Sequence, residues 1–304
     1  MGGSGGGSFQ SDRSPDELRA EVERSLQQAQ VDAEVNQLLN EELARINSRD
    51  VALVNRRLDE IKDALGDRVA DFDRLLFGGS VAKHTFVDGL SDVDSLVVLK
   101  ADALESDTPQ ALIDTFERAL RQHLDMGEIE KIRKGFAVTV VYKDGSEIQL
   151  LPAVERASGL SISDKEGSGW SFIRPRAFEE RLSAVNRQQD GRLIPTVKLA
   201  KAIVDGLPKE ERPGGYHMEA LAVEAFGDYR GPRNNKAMLT HFFQSAAERI
   251  RRPLADATGQ SERIDEVFGP AESPARQRVS AALRRVASRM DTAMTVEAWR
   301  HMLG

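Results

Sequence analysis

The sequence predicts an α+β fold with two lobes, a mixed-sheet lobe followed by a helical lobe. Short apolar segments with strand character fill the first half, at Asp73–Phe77, Ser95–Leu99, Phe136–Tyr142 and Glu147–Leu151. A helical segment, Pro109–Leu124, separates the second strand from the third. Beyond Pro175 the apolar residues recur at helical spacing. The chain has 304 residues and 40% hydrophobic content, which is enough to bury a core in each lobe.

Composition divides the chain into three parts. Residues 1–8 are a Gly/Ser-rich linker or tag remnant and are set aside. Residues 9–175 form the sheet lobe, which begins with a long helix that has Ser14 at its N-cap and extends to about Arg49. A second helix is predicted over Val51–Leu65, and the polar, Ser/Gly-rich stretch Glu155–Ser171 is predicted to be a long loop.

Residues 176–304 form the helical lobe. Its predicted helices are Arg176–Arg187, Leu193–Asp205, Gly215–Phe226, Lys236–Arg252, Pro274–Met290 and Thr295–Met302.

Two aspartates, Asp92 and Asp94, stand at the entrance of the apolar strand Ser95–Leu99. Side chains on a strand repeat every second residue, so both carboxylates are expected on one side. Like charges repel unless a cation neutralises them, and carboxylate oxygens suit Mg²⁺ or Mn²⁺. The pattern therefore indicates a metal site, with a solvated Asp-x-Asp turn as the alternative.

Gly78, Gly79 and Ser80 follow the apolar run that ends at Phe77. Paired glycines let backbone N–H groups approach a phosphate, and a serine hydroxyl adds a donor. An ordinary Gly-Ser turn is the alternative for the tripeptide alone. Together with the downstream aspartates it indicates a metal-assisted phosphate site.

The amino-acid composition excludes several classes of catalytic and metal site. The chain has no cysteine, which excludes disulfides, thiol nucleophiles and cysteine-bound zinc, and its five histidines lack metal-ligand spacing. The formal net charge of −7 disfavours general binding of duplex DNA. No apolar run reaches membrane-spanning length and no secretory signal is visible, so a cytoplasmic enzyme is expected.

The Gly-Gly-Ser turn followed by Asp-x-Asp resembles the active-site signature of the polymerase-β-like nucleotidyltransferases. The resemblance implies that Asp92 and Asp94 hold two Mg²⁺ ions, and that Ser80, with Gly78 and Gly79, binds the triphosphate of an incoming nucleotide. It also implies the bilobed fold of that superfamily, with the active site in the cleft between the lobes.

A third carboxylate is expected three residues before Pro152, where this chain has Gln149. Glu147 lies two residues earlier and should face the same side of the strand, so it is the candidate third acid. An amide oxygen is a weaker Mg²⁺ ligand without charge, so the choice between Glu147 and Gln149 stays open. If neither serves, the site binds nucleotide without turning it over.

Three later motifs, Gly191–Ile203, Gly214–Leu221 and Asp256–Ser261, resemble in their order the helical half of bacterial cGAS/DncV-like nucleotidyltransferases. These enzymes are the oligonucleotide cyclases of the anti-phage signalling systems called CBASS. The likeness extends over roughly Leu38 to Met290.

This second resemblance implies roles for helical-lobe residues. Lys201, with Lys198 one turn earlier, would grip the donor triphosphate, and Tyr216 would stack on a nucleobase. Gly215 stands where the family has a serine that touches phosphate. The alternatives are surface lysines with buried stems and a tyrosine that packs in the core.

The implied activity is two-metal phosphoryl transfer that joins nucleoside triphosphates into a cyclic di- or oligonucleotide and releases pyrophosphate. A downstream effector would respond to the product. The resemblance also suggests that the C-terminal Gly304 is conjugated to a partner. Two other functions stay open: nucleotidyl transfer to a tRNA end or a protein, and a catalytically silent nucleotide-binding regulator.

Overall fold

The structure is a computed structural model that describes residues 14–48, 51–66, 69, 72–77, 85, 93–100, 108–163, 169–254 and 265–303. Gly78, Gly79, Ser80, Asp92, the Asp256–Ser261 motif and Gly304 lie outside these residues. Asp94 is described as a position in a strand, without its side chain.

A mixed sheet forms the first lobe. Its strands are β1 (Phe72–Phe77), β2 (Val93–Leu99), β3 (Ile129–Lys134), β4 (Val138–Tyr142), β5 (Glu147–Arg156), β6 (Gly159–Ser163) and β7 (Trp170–Ile173). The main order is β1-β2-β5-β4-β3, β6 pairs with both β5 and β7, and only the β2–β5 pairing is parallel among the described strands. The expected α+β class with a mixed sheet is confirmed.

One face of the sheet is covered by two helices, α2 (Val51–Leu65) and α3 (Pro109–His123). Alternate strand residues such as Val97 and Leu150 are fully buried there against Phe116 of α3. The alternation of apolar residues along β2 and β5 therefore fixes which face meets the helices.

The turn between β4 and β5 follows the predicted Asp-Gly chemistry. Gly145 has φ +85°, a left-handed conformation that glycine adopts without strain. The buried Arg57 of α2 donates to the Asp144 carboxylate at 3.0 Å and contacts the Ser146 hydroxyl at 2.6 Å. These contacts with Arg57 hold the β4–β5 turn against α2.

The helical lobe is built from α4 (Pro175–Gln188), α5 (Leu193–Asp205), α6 (Gly215–Phe226), α7 (Asn235–Arg249), α8 (Pro274–Thr292) and α9 (Val296–Leu303). Short 3₁₀ turns lie at Lys209–Glu211 and Glu266–Phe268. Helix α7 packs against α5, α6 and α8 in the centre of this lobe. Phe242 and Phe243 of α7 are fully buried in its core.

Helix α1 (Pro15–Ile46) has the capping box that Ser14 and Glu17 predict, because the side chain of each bonds the backbone of the other. Its buried residues Val35 and Leu39 belong to the helical-lobe core, not to the sheet core. The helix that the sequence division counts with the sheet lobe therefore packs on the other lobe.

The long loop predicted over Glu155–Ser171 is wrong. Strand β5 continues to Arg156, and β6 and β7 follow. Pro152 is tolerated within β5 because the pairing with β4 ends at Leu150 and the pairing with β6 begins at Ala153. Proline and the polar Ser/Gly composition concealed these strands in the sequence.

Candidate functional site

The register of the sheet lines up four polar positions across neighbouring strands. Asp94 of β2 pairs with Gln149 of β5, Gln149 pairs with Thr139 of β4, and Thr139 pairs with Arg133 of β3. Register partners in a sheet share a face. Position 94 also shares the alternation of Leu96, which packs on the face opposite α2 and α3. The four positions therefore form one polar row on the face that these helices leave uncovered.

Gln149, rather than Glu147, is the direct neighbour of Asp94. Glu147 opens β5 and pairs with Val141 of β4. It lies on the same face as Gln149, and its carboxylate forms an ion pair with the Arg133 guanidinium. Its side chain is 24% exposed. The Gln149 amide is thus next to position 94. The candidate acid, Glu147, lies two residues away and is paired with Arg133.

Lys201 of α5 is buried and in contact with two other buried residues. Its ammonium donates to the Glu219 carboxylate of α6 at 2.7 Å and to the backbone oxygen of Thr85 at 3.1 Å. The Thr85 hydroxyl donates to the same carboxylate. The three side chains are at most 8% exposed. Lys201 therefore joins α5, α6 and Thr85.

Lys198 lies one turn before Lys201 and has different surroundings. Its ammonium donates to the side-chain oxygen of Asn47, which caps the C-terminal end of α1. Burial, and secondarily the charge of Lys201, lowers the pKa of Lys198 below its ordinary value. A half-buried ammonium of this kind gains from an incoming anion, because a phosphate would replace lost hydration.

Gly215 and Tyr216 form the first turn of α6. A Cβ added to Gly215 would lie 3.5 Å from the Lys201 Nζ, an ordinary contact, so the space for a serine exists at this position. The Tyr216 ring is partly buried, with its centroid 4.7 Å from that of Phe178. Tyr216 also lines a cavity of about 460 Å³, together with Arg212 and others. One side of the ring therefore packs on the lobe and the residue also borders open space.

A cluster of metal ligands and a membrane-spanning helix are both absent from the described part of the chain. No group of three or more His, Cys, Asp or Glu residues there is arranged to hold a metal ion. Among the helices described, none has the length and apolar character needed to span a bilayer.

Three residues of this region were missed in the sequence: Thr85, Glu219 and Arg133. Glu219 had a usable signal, since an acid within the apolar run of α6 needs a buried partner. Arg133 lies on the charged strand β3, which the sequence did not predict. For Thr85 no sequence signal existed, because its partners are more than a hundred residues away.

Comparison with family models resolves which class of protein has this fold. Residues 30–186 match the model of the Second Messenger Oligonucleotide or Dinucleotide Synthetase domain, over about half of the chain. The chain belongs to this synthetase family. The synthetase is an enzyme, a nucleotidyltransferase that makes oligonucleotide or dinucleotide second messengers. The expected activity, synthesis of a cyclic di- or oligonucleotide messenger, is confirmed at the level of the family.

Solved structures with the same fold cover nearly the whole synthetase. CdnC of E. coli MS115-1, solved with ATP, is 16% identical with a TM-score of 0.63 and covers 89% of this chain and 96% of its own. The CD-NTase CdnG of Bradyrhizobium diazoefficiens, in complex with GTP, is 17% identical with a TM-score of 0.66, covering 86% and 93%.

DncV of Escherichia coli, in a form bound to 3′-deoxy GTP, is 13% identical with a TM-score of 0.60, covering 96% of the synthetase and 90% of its own chain. At these identities the likenesses establish the fold, and they confirm the bilobed polymerase-β-like architecture. A search of curated proteins found no match to the synthetase.

Proposed function

We propose that this synthetase links nucleoside triphosphates into a cyclic di- or oligonucleotide at the uncovered face of its sheet, using Asp92, Asp94 and Glu147 to bind two Mg²⁺ ions. The product would act on a downstream effector in anti-phage signalling of the CBASS type, in the cytoplasm. Mn²⁺ would serve in place of Mg²⁺.

The observation that supports this assignment is the polar row that begins with Asp94 and Gln149. In the described part of the chain, α2 and α3 bury one face of the sheet, which leaves the opposite face for a substrate. A carboxylate at position 94, an amide at 149 and a carboxylate at 147 offer oxygen donors on that face. Such a donor set fits a hard divalent cation.

Glu147 is proposed as the third acid because Gln149 supplies no charge. Glu147 lies two residues, about 7 Å, from Gln149 along the same face of β5, which is within reach of a glutamate side chain acting with position 94. To serve, its carboxylate must turn from Arg133 toward the metals. When bound, the metals would acidify the acceptor hydroxyl and neutralise charge on the donor triphosphate.

The other candidate residues hold and orient the nucleotide. Ser80, with the backbone of Gly78 and Gly79, would donate hydrogen bonds to the triphosphate. Lys198 and Lys201 are the candidate residues to neutralise the triphosphate charge. Lys198 contacts Asn47, whereas Lys201 is paired with Glu219. Tyr216 would stack on a base, since its ring borders a cavity. At Gly215 a backbone N–H would replace the serine hydroxyl of the family.

The proposal is tested with the wild-type protein, Mg²⁺ and a labelled mixture of ATP, GTP, CTP and UTP. Small phosphatase-resistant products identified by mass would support the cyclase. Label on added tRNA or protein would support transfer to a macromolecule instead. Nucleotide binding without pyrophosphate release would support the silent regulator, which the amide at position 149 also favours.

The matched variant is Asp92→Ala combined with Asp94→Ala. It should fold, as judged by circular dichroism, and form no product. Undiminished turnover in this variant would overturn the residue assignment.

Conjugation through Gly304 is a separate proposal. It is tested by mass spectrometry of the C-terminus in cells that carry a conjugation system. If every detected C-terminus is unmodified, the proposal is contradicted.

A further inference from the structure

Lys201, Glu219 and Thr85 form a buried cluster, here named the interlobe clasp, in which Glu219 and Thr85 have no role in the proposed chemistry. Lys201 and Glu219 form a 2.7 Å ion pair in which the side chains are 7% and 1% exposed. The Lys201 ammonium lies 3.1 Å from the backbone oxygen of Thr85 and 3.3 Å from its hydroxyl oxygen. The Thr85 hydroxyl in turn donates to Glu219.

The clasp connects two parts of the molecule that must keep a fixed relation during the reaction. Lys201 and Glu219 belong to α5 and α6 of the helical lobe. Thr85 follows Ser80 by five residues and precedes Asp92 by seven, so it belongs to the segment that joins the phosphate cradle to the metal-binding aspartates. A charged pair removed from water keeps its place only where hydrogen bonds hold it; here Lys201 and Thr85 both donate to one Glu219 carboxylate oxygen, and Lys201 also donates to the Thr85 backbone oxygen.

We propose that Glu219 is a positioning residue: it holds the Lys201 ammonium against Thr85 and thereby fixes the cradle-to-aspartate segment relative to the helical lobe. In this assignment Lys201 acts through Thr85, and Lys198 is the lysine that meets the triphosphate. The inference rests on the proposed function, since it concerns the same site. It reverses the ranking of the two lysines that the family resemblance implied.

Two mechanisms predict different kinetics. A lysine that grips the triphosphate contributes to nucleotide binding, so its loss raises the dissociation constant. A clasp that sets the relative placement of cradle and aspartates contributes to the alignment of the reacting atoms, where a shift of about 1 Å lowers the rate by about 10²-fold. Loss of the clasp should therefore lower kcat more than it changes KM.

The test compares Glu219→Gln, Lys201→Met and their combination, with Lys198→Met as the binding variant. Arg284→Gln, which removes an exposed ion pair with Glu248, is the control. We expect each clasp variant to lower kcat by about 10- to 100-fold with KM within about 3-fold of wild type. The double variant should be no worse than the worse single one, because both remove one interaction.

A readout independent of turnover is hydrogen exchange. Peptides that cover residues 81–92 should exchange faster in Glu219→Gln than in wild type, and unchanged in Lys198→Met and Arg284→Gln. If Glu219→Gln fails to fold, Thr85→Val and Thr85→Ser give the same comparison, because only the serine keeps the hydroxyl that contacts Glu219.

Two results would overturn the clasp. One is a tenfold or greater loss of affinity for a non-hydrolysable triphosphate in Lys201→Met while Glu219→Gln binds as wild type does, which makes Lys201 a direct ligand. The other is a lower melting temperature in Glu219→Gln with kcat and exchange at residues 81–92 unchanged, which makes the pair merely structural. Absence of product from the wild type would refute the proposed function. Hydrogen exchange at residues 81–92 would still test the clasp, because that measurement does not need turnover.

Discussion

At the scale of single residues, the departure from the expected acid pattern is concentrated in β5. Gln149 takes the position beside Asp94 where the resemblance predicts a carboxylate. Glu147 supplies a carboxylate on the same face, at present paired with Arg133. The ion pair holds this carboxylate close to the polar row. A second acid therefore lies two residues from the amide at position 149.

The first prediction concerns these two residues. Glu147→Gln should lower kcat by about tenfold or more, because it removes the charge assigned to the metals, and should cost more activity than Gln149→Ala. Turnover and Mg²⁺ affinity by calorimetry are the measurements. Glu130→Gln, which changes an exposed acid on β3, is the control and should match wild type. The reverse ranking of Glu147 and Gln149 would assign the third position to Gln149.

The second prediction concerns His217 at the start of α6. It is buried, with its Nε2 3.4 Å from the Asp265 carboxylate and with Arg276 nearby. Burial lowers the pKa of His217 below its ordinary value of 6.5, against the opposing effect of Asp265. The unfolded chain therefore binds a proton more readily than the folded one, so stability present at pH 7.5 is lost as pH falls below about 6.5.

Melting temperatures between pH 7.5 and pH 5.5 test this linkage. The decline over this range should be smaller in His217→Gln than in wild type, whereas His301→Gln, at an exposed position, should decline as wild type does. Asp265 does not contribute in this window: burial acts to raise its pKa, but the hydrogen bonds from Arg276 and the Leu254 backbone and the charge of Arg276 together hold the pKa below its ordinary value. Equal declines in all three proteins would contradict the assignment.

At the scale of elements, Arg276 fastens the start of α8 to the end of α7. Its side chain is 1% exposed and donates to the Ile250 backbone oxygen at 3.0 Å and to the Gly269 backbone oxygen at 2.9 Å, besides the Asp265 carboxylate. One arginine therefore satisfies several carbonyl groups where two helices and a turn meet. The ordering of these backbone groups depends on a single buried cation.

The third prediction follows from this arrangement. Arg276→Met should lower the free energy of unfolding by about 3–5 kcal/mol, because it leaves the Asp265 charge buried and unpaired. Arg278→Met, two residues later on an exposed position, should change it by less than about 0.5 kcal/mol. Denaturant unfolding measures both. Similar losses in the two variants would contradict the role of Arg276.

Elements with regular apolar spacing were predictable from the sequence. The bounds of α2, α5 and the start of α6 match the predicted ones, because each combines a periodic apolar face with a clear start or end. The strands β3, β6 and β7 were not predictable, since β3 is a charged edge strand and β6 and β7 have only five and four residues. Their identity depends on the pairings β3–β4, β5–β6 and β6–β7, which local sequence does not encode.

The candidate site divides in the same way. Local motifs indicated Asp94, Ser80 and Tyr216 because the chemistry is contained in a few consecutive residues. The neighbour of Asp94 was not predictable, since strand register depends on the whole sheet. The partners of Lys201 were hidden for the same reason, because Glu219 and Thr85 approach it only through folding of both lobes. Spacing along a strand suggested Glu147, and the structure adds its partner Arg133.

At the scale of the whole molecule, the proposed site draws on residues from both lobes. The sheet lobe carries the polar row, and the helical lobe carries the proposed nucleotide-binding residues Lys198, Lys201 and Tyr216. Helix α1 contributes to the helical core through Val35 and Leu39, and Asn47 just beyond its last turn contacts Lys198. In the proposed mechanism, catalysis would depend on the relative placement of the lobes, and loss of the interlobe clasp would therefore lower the rate.

A crystal structure of the protein with Mn²⁺ and a non-hydrolysable nucleoside triphosphate would test the metal site most directly. The anomalous signal of manganese would locate the metals. We expect two peaks bound by Asp92 and Asp94, with Glu147 turned from Arg133 toward them and the triphosphate near Ser80. A bound nucleotide with no metal at these aspartates would contradict this expectation.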